Sequence, residues 1–517
     1  MAELKDVKSV FEDIKVEGEW WLPETPQKTI RGTLIGKEAE DFVLNTEDSL
    51  EDFSLSNIPF NTLSNADTKY DLIILGSSRR GQIYTLVSCF LFAHKYNYNR
   101  ASGVQTNDYS YAVNRIIEGA HLSTYEELCF DKIKFGISNF EDWHGLNAFK
   151  AKHDHENNII DFRYSRPDII TIIDNENITA EIEYIYKPPS VEYAQKAGTI
   201  SHSARIVIRT KKTKLPLEDF KNTGQTSLND HLLNIEKFIQ FAVQKEVYSY
   251  DLQVYKNEMR NPVDSNYEYP LKFFRMIRPR SDITPIHFTK MLFAWKAVAD
   301  DPQKYFQAWS DTLEDIDMPI WLYFSSFDKK AYADQRFMQL VQALEGYHRI
   351  RFSDQSIPSE EHISCVKKIV KLCTEIKSCA DIGAQRNGER RGLGKWINGK
   401  LKYSHEPSLA DRLRQLFTKN IELAKWLTNE SKTKPKTMNK FAELVASRRN
   451  EYAHCLGDAG EEFTHARRTQ TIILMRLIFA IILLEETGFS GDKIDQIIRG
   501  YLESDQLKKS LTNEPLK

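Results

Sequence analysis

The chain has 517 residues, of which 41% are apolar and 28% charged, the composition of a folded protein with two to four domains. Glycine (22) and proline (17) are too scarce for a fibrous or low-complexity protein. The longest apolar stretch, Ile472–Leu484, is shorter than the roughly 20 residues that cross a bilayer, and it contains Arg476. We therefore expect a buried helix there, with Arg476 paired to an acidic side chain in the core or at a dimer interface, and no membrane segment.

Cysteine usage favours a reducing compartment. The six cysteines are scattered along the chain without a C-x-x-C pair, so they form neither a disulfide framework nor a zinc motif. The N-terminus lacks the basic and apolar segments of a secretory signal. The segment His153–Glu156 alternates possible metal ligands, but its flanking Asn157 and Asn158 are typical of a solvated turn. We expect a cytoplasmic protein without a metal or a cofactor.

Net charge divides the chain into two unequal parts. Residues 331–517 contain 31 Lys and Arg against 24 Asp and Glu, which gives +7. Because the whole chain carries −3, residues 1–330 carry −10. Such an asymmetry suggests separate roles, and the basic part is the natural place for a polyanion such as RNA. The alternative is that the charge difference between the two parts arose by drift of surface residues and has no functional role.

Residues 1–330 have the pattern of a β-rich, mostly antiparallel module, and two sub-lobes are possible within it. Apolar and polar residues alternate around a polar turn over Ile30–Leu44, which predicts a hairpin, and Gly76–Gly81 predicts a tight turn. Helical spacing occurs at Asp230–Gln244 and from Thr284 to about Leu313. Further strands are predicted over Tyr70–Leu75, Ile83–Ala93, Ile159–Ile173, Ile178–Tyr186, Ile200–Arg209 and Val247–Lys256.

Residues 331–517 have the pattern of an all-helical domain. Apolar residues recur there at spacings of three and four, which is typical of amphipathic helices that pack into a bundle. The fold class is therefore α+β, with a β-rich module at 1–330 followed by a helical-bundle domain at 331–517. Six helices are predicted, over Asp334–His348, Ser359–Ile376, Leu409–Leu427, Met438–His454, Phe463–Glu486 and Lys493–Leu502.

One segment between these helices is rich in glycine and basic residues. Cys379–Lys402 contains five glycines and six Arg or Lys residues against two acidic residues. A flexible basic loop with one aromatic residue, Trp396, suits contact with single-stranded nucleic acid. We therefore predict that Arg390, Arg391 and Lys395 bind RNA. The alternative is a solvated loop without such a role.

The strongest chemical signal is the segment from Arg449 to His454 (RNEYAH), at the end of the fourth predicted helix. On a helix, Asn450 and His454 share a face, whereas Arg449 and His454 lie about 140° apart around the axis. Either the helix breaks within this motif, or a second protomer related by a two-fold axis completes the site. Arg448 is better placed as an anchor for a substrate phosphate.

These residue types suit cleavage of RNA without a metal. The ribose 2′-hydroxyl attacks the adjacent phosphorus, one histidine accepts its proton, and a second donates a proton to the leaving 5′-oxygen. Arginine stabilises the charge that develops on the phosphoryl oxygens. The competing interpretation is structural: a solvated helix end at which His454 interacts favourably with the helix dipole.

Arg449, Asn450 and His454 match, position by position, the signature of the HEPN superfamily, which is an arginine, commonly followed by a polar residue, and a histidine after four to six residues. The segments FMQLVQALEGYHRI and SLADRLRQLF resemble the first and third helical signatures of the ApeA type of HEPN protein. Three segments near the N-terminus also resemble the N-terminal part of ApeA-type proteins: EGEWWLPE (Glu17–Glu24), IRGTL and GISNFEDWHGL (Gly136–Leu146). The resemblance covers nearly the whole chain.

The resemblance implies a dimeric, metal-independent endoribonuclease of bacterial defence against phage, with Arg449, Asn450 and His454 as its catalytic residues. Residues 331–517 would form its HEPN ribonuclease domain, and residues 1–330 would sense a phage-derived trigger. The expected partners are an RNA substrate, with transfer RNA among the candidates, and a second copy of the chain. Two alternatives stay open: the domain binds RNA or a nucleotide without cleaving it and signals to a partner, or it serves only for dimerisation.

Overall fold

The computed structural model divides the chain into two compact units, residues 1–309 and 310–517. The domain boundary predicted at 330/331 concerns functional domains and stays a prediction. The structure describes residues 14–36, 41–51, 71–99, 104–156, 159–192, 197–221, 223–259, 268–276, 284–353, 358–375, 393–419, 435–454 and 464–503.

The described part of the first unit is mainly β-structure. Its helices are α1 (Phe140–His144), α2 (Leu228–Val243) and most of α3 (Pro302–Asp315). Its strands are β1 (Ile14–Trp21), β2 (Ile30–Gly36), β3 (Phe42–Thr46), β4 (Leu72–Ser78), β5 (Ile83–Asn99), β6 (Val104–Glu118), β7 (Cys129–Phe130), β8 (Lys132–Ile137), β9 (Phe149–Asp154), β10 (Ile159–Tyr164), β11 (Ile170–Asp174), β12 (Ile178–Glu192), β13 (Ala197–Thr210), β14 (Leu215–Pro216), β15 (Ser249–Tyr255) and β16 (Leu271–Arg275).

Six antiparallel strands of this unit close into a barrel. Their order is β1-β2-β3-β6-β5-β4, and β4 pairs back onto β1, with Gly18 opposite both Gly32 and Ser78. Alternate residues point inward and form the core, because successive side chains of a strand lie on opposite faces. Trp20 is fully buried in this core, and a Cβ atom at Gly76 would overlap its indole ring. Glycine is therefore required at position 76.

The barrel continues into an open antiparallel sheet, because β6 also pairs with β16. The order of this second sheet is β16-β15-β8-β13-β12-β11. Helix α2 packs against β8 and β13 through a buried face that includes Phe238 and Phe241. The helix begins with a capping box, in which Ser227 and Asp230 each bind the backbone amide of the other.

Most of the strands predicted for this unit are confirmed. The hairpin over Ile30–Leu44 is β2–β3, and Gly81, with φ +80°, lies in the tight turn between β4 and β5. The single strand predicted over Ile159–Ile173 is wrong, because it is two strands, β10 paired with β9 and β11 paired with β12. Pro167 separates them, since proline lacks the amide that a central strand must donate. The helical region expected from Thr284 is confirmed as an α-helix only from Pro302.

The described part of the second unit is helical. The residues of α5 contact α4, α8, α9 and α10, so α5 lies at the centre of the bundle. The fold class, a β-rich region followed by a helical one, is confirmed. The helices after α3 are α4 (Asp317–Ser325), α5 (Ala333–Arg351), α6 (Glu360–Glu375), α7 (Leu393–Leu401), α8 (Leu409–Lys419), α9 (Pro435–Ala453), α10 (His465–Glu486) and α11 (Gly491–Leu502).

Two expectations for this unit are corrected in part. The loop predicted over Cys379–Lys402 is wrong at its C-terminal end, where residues 393–401 form helix α7, whose apolar residues recur at helical spacing although two of its nine residues are glycines. Residues 379–392 of that prediction lie outside the described residues. Arg476 lies in the buried helix α10, as expected, but its Nε donates to Ser326 Oγ at 3.1 Å and not to an acid in the core among the described residues. The guanidinium also lies 4.7 Å from the ring centre of Phe327. None of the described helices has the length and apolar character that a bilayer span requires.

Candidate active site

The motif predicted from the sequence lies at the C-terminal end of α9. The helix is continuous through Arg449 and Asn450, and the backbone amide of His454 still donates to the carbonyl of Asn450 at 3.0 Å. The helix therefore does not break inside the motif. At 3.6 residues per turn, Arg449 and His454 leave the axis in directions about 140° apart. The directions in which the two side chains leave one copy of α9 are therefore unfavourable for contact of both with a single phosphate.

Arg449 is held between α9 and α5. Its side chain is 31% exposed, its Nη1 donates to Asn450 Oδ1 at 3.2 Å, and its Nη2 lies 3.6 Å from Oε2 of Glu345 on α5. The Nε atom is shielded from solvent and has no hydrogen-bond partner among the described residues. The guanidinium is thus anchored at one end and keeps an unused donor.

Asn450 and His454 are open to solvent. Both residues are exposed, and the imidazole of His454 forms no hydrogen bond or ion pair within the described part of the chain. An imidazole without a partner keeps one nitrogen as an acceptor and the other as a donor. His454 is therefore available for proton transfer to or from a bound molecule.

Arg448 has a different environment from its neighbour Arg449. It is only 8% exposed, and its Nη1 donates to Oε2 of Glu451 at 2.7 Å, one turn further along α9. Consecutive residues of a helix point about 100° apart, which places the two arginines on different faces. Arg448 contributes to the packing of α9, and its role as a phosphate anchor stays a prediction.

The other residues predicted to bind RNA are placed only in part. Lys395 is exposed on α7 and has no hydrogen bond or ion pair with the described side chains of the motif. Arg390 and Arg391 lie outside the described residues. A contact of these three residues with RNA stays a prediction.

An alternating series of charges leads from Arg449 into the helical unit. Oε1 of Glu345 accepts from Nε and Nη2 of Arg349 at 3.2 and 3.1 Å. Nη1 of Arg349 donates to Oε2 of Glu406 at 2.8 Å, and the same oxygen accepts from Nη2 of Arg412 at 3.0 Å. Each carboxylate therefore lies between two guanidinium groups, which fixes its position from both sides.

The series ends at a buried histidine. Arg412 and His348 are both fully buried, and Nη1 of Arg412 lies 3.2 Å from Nδ1 of His348. A guanidinium only donates, so Nδ1 must accept, and the proton of the neutral ring is on Nε2. That atom lies 2.7 Å from Oε1 of Gln415 and donates to it. Burial lowers the pKa of His348, and the cations of Arg412 and Arg349 lower it further, against the opposing effect of Gln415.

Two family profiles match the chain, ApeA N-terminal domain 1 over residues 15–309 and Apea-like HEPN over residues 338–493. The chain belongs to the ApeA family. No curated protein and no solved structure matches it. HEPN domains are a family of ribonucleases in defence systems, and they typically dimerise and bind RNA.

The Apea-like HEPN match contains both the motif and the charge series. It begins within α5, which carries Glu345, and it ends in α11, so that it includes all of α9. The resemblance of this chain to the ApeA type of HEPN protein, inferred from short segments, is confirmed. The assignment of Arg449, Asn450 and His454 as catalytic residues stays a prediction.

Sequence reasoning missed Glu345 in this ApeA HEPN domain. A local signal was present, because Glu345 and Arg349 have the i, i+4 spacing of an acid–base pair on a helix. That spacing indicates a surface ion pair and says nothing about Arg449, which is about 100 residues further along the chain. The contact between α5 and α9 was needed to bring Glu345 to the motif.

The structure gives no candidate for a metal centre in the residues that it describes. No group of three or more His, Cys, Asp or Glu side chains there is arranged to hold a metal ion. His153 and His155 are exposed at the end of β9, and their ring centres are 5.7 Å apart. Both lie in the segment interpreted from the sequence as a solvated turn.

Proposed function

We propose that this ApeA-family protein is a metal-independent endoribonuclease of bacterial anti-phage defence, of the abortive-infection type. Arg449, Asn450 and His454 form the active site, and transfer RNA is among the candidate substrates. One observation carries the proposal. At the end of α9, a guanidinium whose side chain is partly exposed and an exposed imidazole without a partner in the described residues lie within one helical turn and a half.

The chemistry follows from these groups. One His454 accepts the proton of the ribose 2′-hydroxyl, whose oxygen then attacks the adjacent phosphorus. The guanidinium of Arg449 donates to the phosphoryl oxygens, where negative charge develops in the transition state. A second histidine donates a proton to the leaving 5′-oxygen. The products are a 2′,3′-cyclic phosphate and a 5′-hydroxyl.

The geometry of α9 supports a site shared by two protomers. The mechanism needs two imidazoles, and one chain supplies one motif. Because Arg449 and His454 point about 140° apart on one helix, a convergent pair requires the helix of a second copy. A two-fold axis beside the ends of the two α9 helices would bring two arginines and two histidines together. The proposed enzyme is therefore a homodimer.

The N-terminal unit is proposed to be the sensory part of a cytoplasmic defence protein. It matches ApeA N-terminal domain 1, and it is separate from the unit that contains the motif. Its proposed ligand is a phage-derived trigger, and detection of that trigger activates cleavage of RNA by the HEPN domain.

The test is RNA cleavage by the full-length protein in the presence of EDTA. Wild-type protein should cut RNA and leave 2′,3′-cyclic phosphate ends, whereas Arg449→Ala and His454→Ala should not, although both retain their fold. Sequencing of RNA ends from cells that express the wild type beside His454→Ala identifies the substrate. Full cleavage by His454→Ala would eliminate the assignment.

A mixing experiment tests the shared site. Wild-type protein is mixed with His454→Ala, which is expected to be inactive alone. Subunit exchange gives heterodimers that keep both copies of Arg449 and only one copy of His454. Because the mechanism needs two imidazoles, these heterodimers should be inactive, and the activity should fall as the square of the wild-type fraction. A mixture that exchanges subunits and whose activity falls only in proportion to the wild-type fraction would contradict a site built from both protomers.

A further inference from the structure

Glu345 is the one acidic residue that contacts Arg449 within the described part of the chain. Its side chain is 17% exposed, and its carboxylate lies between two guanidinium groups, with Oε2 at 3.6 Å from Nη2 of Arg449 and Oε1 at 3.1 Å from Nη2 of Arg349. A carboxylate has two oxygens, and here each oxygen faces a different arginine. Glu345 thus connects the motif helix α9 to the central helix α5.

The position of Glu345 is itself fixed by hydrogen bonds from Arg349. Arg349 reaches its Oε1 with two nitrogens, Nε and Nη2, and uses its third nitrogen for Glu406. Glu406 in turn accepts from the fully buried Arg412 at 3.0 Å. Charge-assisted hydrogen bonds of this kind are short and directional, so the series is stiffer than a single exposed ion pair.

Arg449 needs such support if it stabilises a transition state. An arginine side chain loses rotamer entropy when it is fixed in one orientation. A displacement of about 1 Å in a catalytic group costs on the order of 100-fold in rate. The 3.6 Å separation from Glu345 exceeds a full hydrogen bond, so the contact orients Arg449 and leaves its donors available to a phosphate.

We propose that Glu345 is a positioning residue for Arg449, held in place by Arg349, Glu406 and Arg412. This inference rests on the proposed ribonuclease function. It assigns to α5 a part in the reaction that the Arg-x4-His motif does not contain. Because a positioning residue acts on the transition state and not on substrate binding, its loss lowers kcat and leaves KM nearly unchanged.

The experiment compares Glu345→Gln with Glu443→Gln in the full-length protein, with synthetic RNA as the probe. Both changes remove one negative charge from the same unit. Glu443 is on α9, is 61% exposed, and contacts Arg414 at 3.3 Å and not Arg449. We expect kcat to fall about 10- to 100-fold for Glu345→Gln, and to stay within about twofold of wild type for Glu443→Gln.

Chemical rescue separates positioning from a general structural role. Guanidinium ion, added to Arg449→Ala below the concentration that unfolds the protein, should restore part of the cleavage, with potassium chloride at equal ionic strength as the control. The same ion should not rescue the double variant Glu345→Gln/Arg449→Ala, because the carboxylate that holds the ion is absent. If Glu345→Gln does not fold, Glu345→Asp replaces it in both comparisons, with a smaller expected loss.

The outcomes distinguish the inference from the function on which it rests. If wild type and His454→Ala treat RNA identically, the proposed function fails, and the inference fails with it. If wild type cleaves and His454→Ala does not, the function stands. In that case, Glu345→Gln at wild-type kcat, or equal guanidinium rescue with and without Glu345, overturns the inference alone.

Discussion

The HEPN unit contains two clusters of the same three groups, a guanidinium, an imidazole and a side-chain amide. The interior cluster consists of the buried residues Arg412 and His348 and of Gln415, whose side chain is exposed. Each side-chain nitrogen of its arginine has a partner in the chain, namely His348, Glu406 and the carbonyl of Pro407. Both ring nitrogens of its histidine are also paired. The arginine and the histidine of the interior cluster are therefore fully paired and have no side-chain nitrogen left for another molecule.

The cluster at the end of α9 consists of Arg449, Asn450 and His454. Here the arginine has two contacts, one to Asn450 and one to Glu345, and its Nε has no partner among the described residues. The histidine is exposed and unpaired within the same part of the chain. This cluster therefore leaves unpaired, within the described residues, the guanidinium Nε and both ring nitrogens, all of which are paired in the interior cluster.

The difference shows that residue types alone do not indicate a reactive site. A buried polar group costs free energy unless the protein satisfies it, so a fully paired cluster serves the fold. A cluster with open donors and acceptors gains its partners only when a ligand arrives. The distinction between the two histidines of this unit lies in their hydrogen-bond partners, and it can be tested by exchanging one residue at a time.

The largest expected effect is the difference in RNA cleavage between variants of His454 and variants of His348. His454→Gln should lower the rate of RNA cleavage by about 1,000-fold, because proton transfer by a positioned histidine contributes on this scale. Its unfolding midpoint in urea should match wild type, since the side chain is exposed. His348→Gln should do the opposite, with normal cleavage per folded molecule and a lower midpoint. Equal loss of cleavage per folded molecule in both variants would contradict the distinction between a reactive cluster at the end of α9 and a structural cluster in the interior.

The next effect concerns the buried arginine. Arg412→Met removes a fully buried cation and leaves the Nδ1 atom of His348 without its donor. We expect a loss of about 3 kcal/mol in the free energy of unfolding, because breaking a buried pair leaves its partners unsatisfied. Arg414→Met on the same helix is the matched control, since Arg414 is 34% exposed and its ion pairs lie at the surface. Its expected loss is below about 1 kcal/mol, and equal losses in urea unfolding would contradict a specific role for Arg412.

Much of the fold could be predicted from periodicity, and the exceptions have physical causes. Alternation over Ile30–Leu44 gave the hairpin, and spacings of three and four gave α5 and α9. Helix α7 was missed because its glycines have low helix propensity, which tertiary packing overrides. The break between β10 and β11 was missed although Pro167 marks it.

The candidate site could be predicted only where it is local in sequence. Arg449, Asn450 and His454 lie within six residues, so a motif describes them completely. Glu345 contacts Arg449 because α5 packs against α9, and no local sequence pattern predicts that contact. The continuity of the helix through Asn450 also depends on the structure. That continuity determines whether one protomer or two must supply the reacting groups.

A smaller effect should appear in the pH dependence of stability. Burial lowers the pKa of His348 in the folded protein, so below about pH 6.5 the unfolded chain binds a proton that the folded chain does not. The contribution of His348 to the free energy of unfolding is therefore complete above about pH 6.5 and is lost as the pH falls below this value. The loss should approach about 1.4 kcal/mol per pH unit while the buried ring stays neutral.

The measurement for this effect is urea unfolding at pH 7.5 and pH 5.5, for wild type and His348→Gln. Burial also lowers the pKa of His144 to about 4 in the N-terminal unit, so both proteins share a part of the pH dependence. The difference between the two slopes isolates His348. An identical slope in both proteins would show that the interior cluster accepts a proton without cost, which would contradict its description as fully paired.

The smallest effect is expected at Asn450. Its Oδ1 accepts from Nη1 of Arg449 at 3.2 Å, and the removal of one such bond at an exposed site costs about 1 kcal/mol. Since Glu345 still holds the other end of the guanidinium, Asn450→Ala should lower kcat only about fivefold. Asn450→Asp keeps the acceptor, so its kcat should stay closer to wild type, while the added negative charge should raise KM for RNA. A thousandfold loss in Asn450→Ala would show instead that the amide acts directly on RNA or on His454, and the open cluster would then contain three reacting groups in place of two.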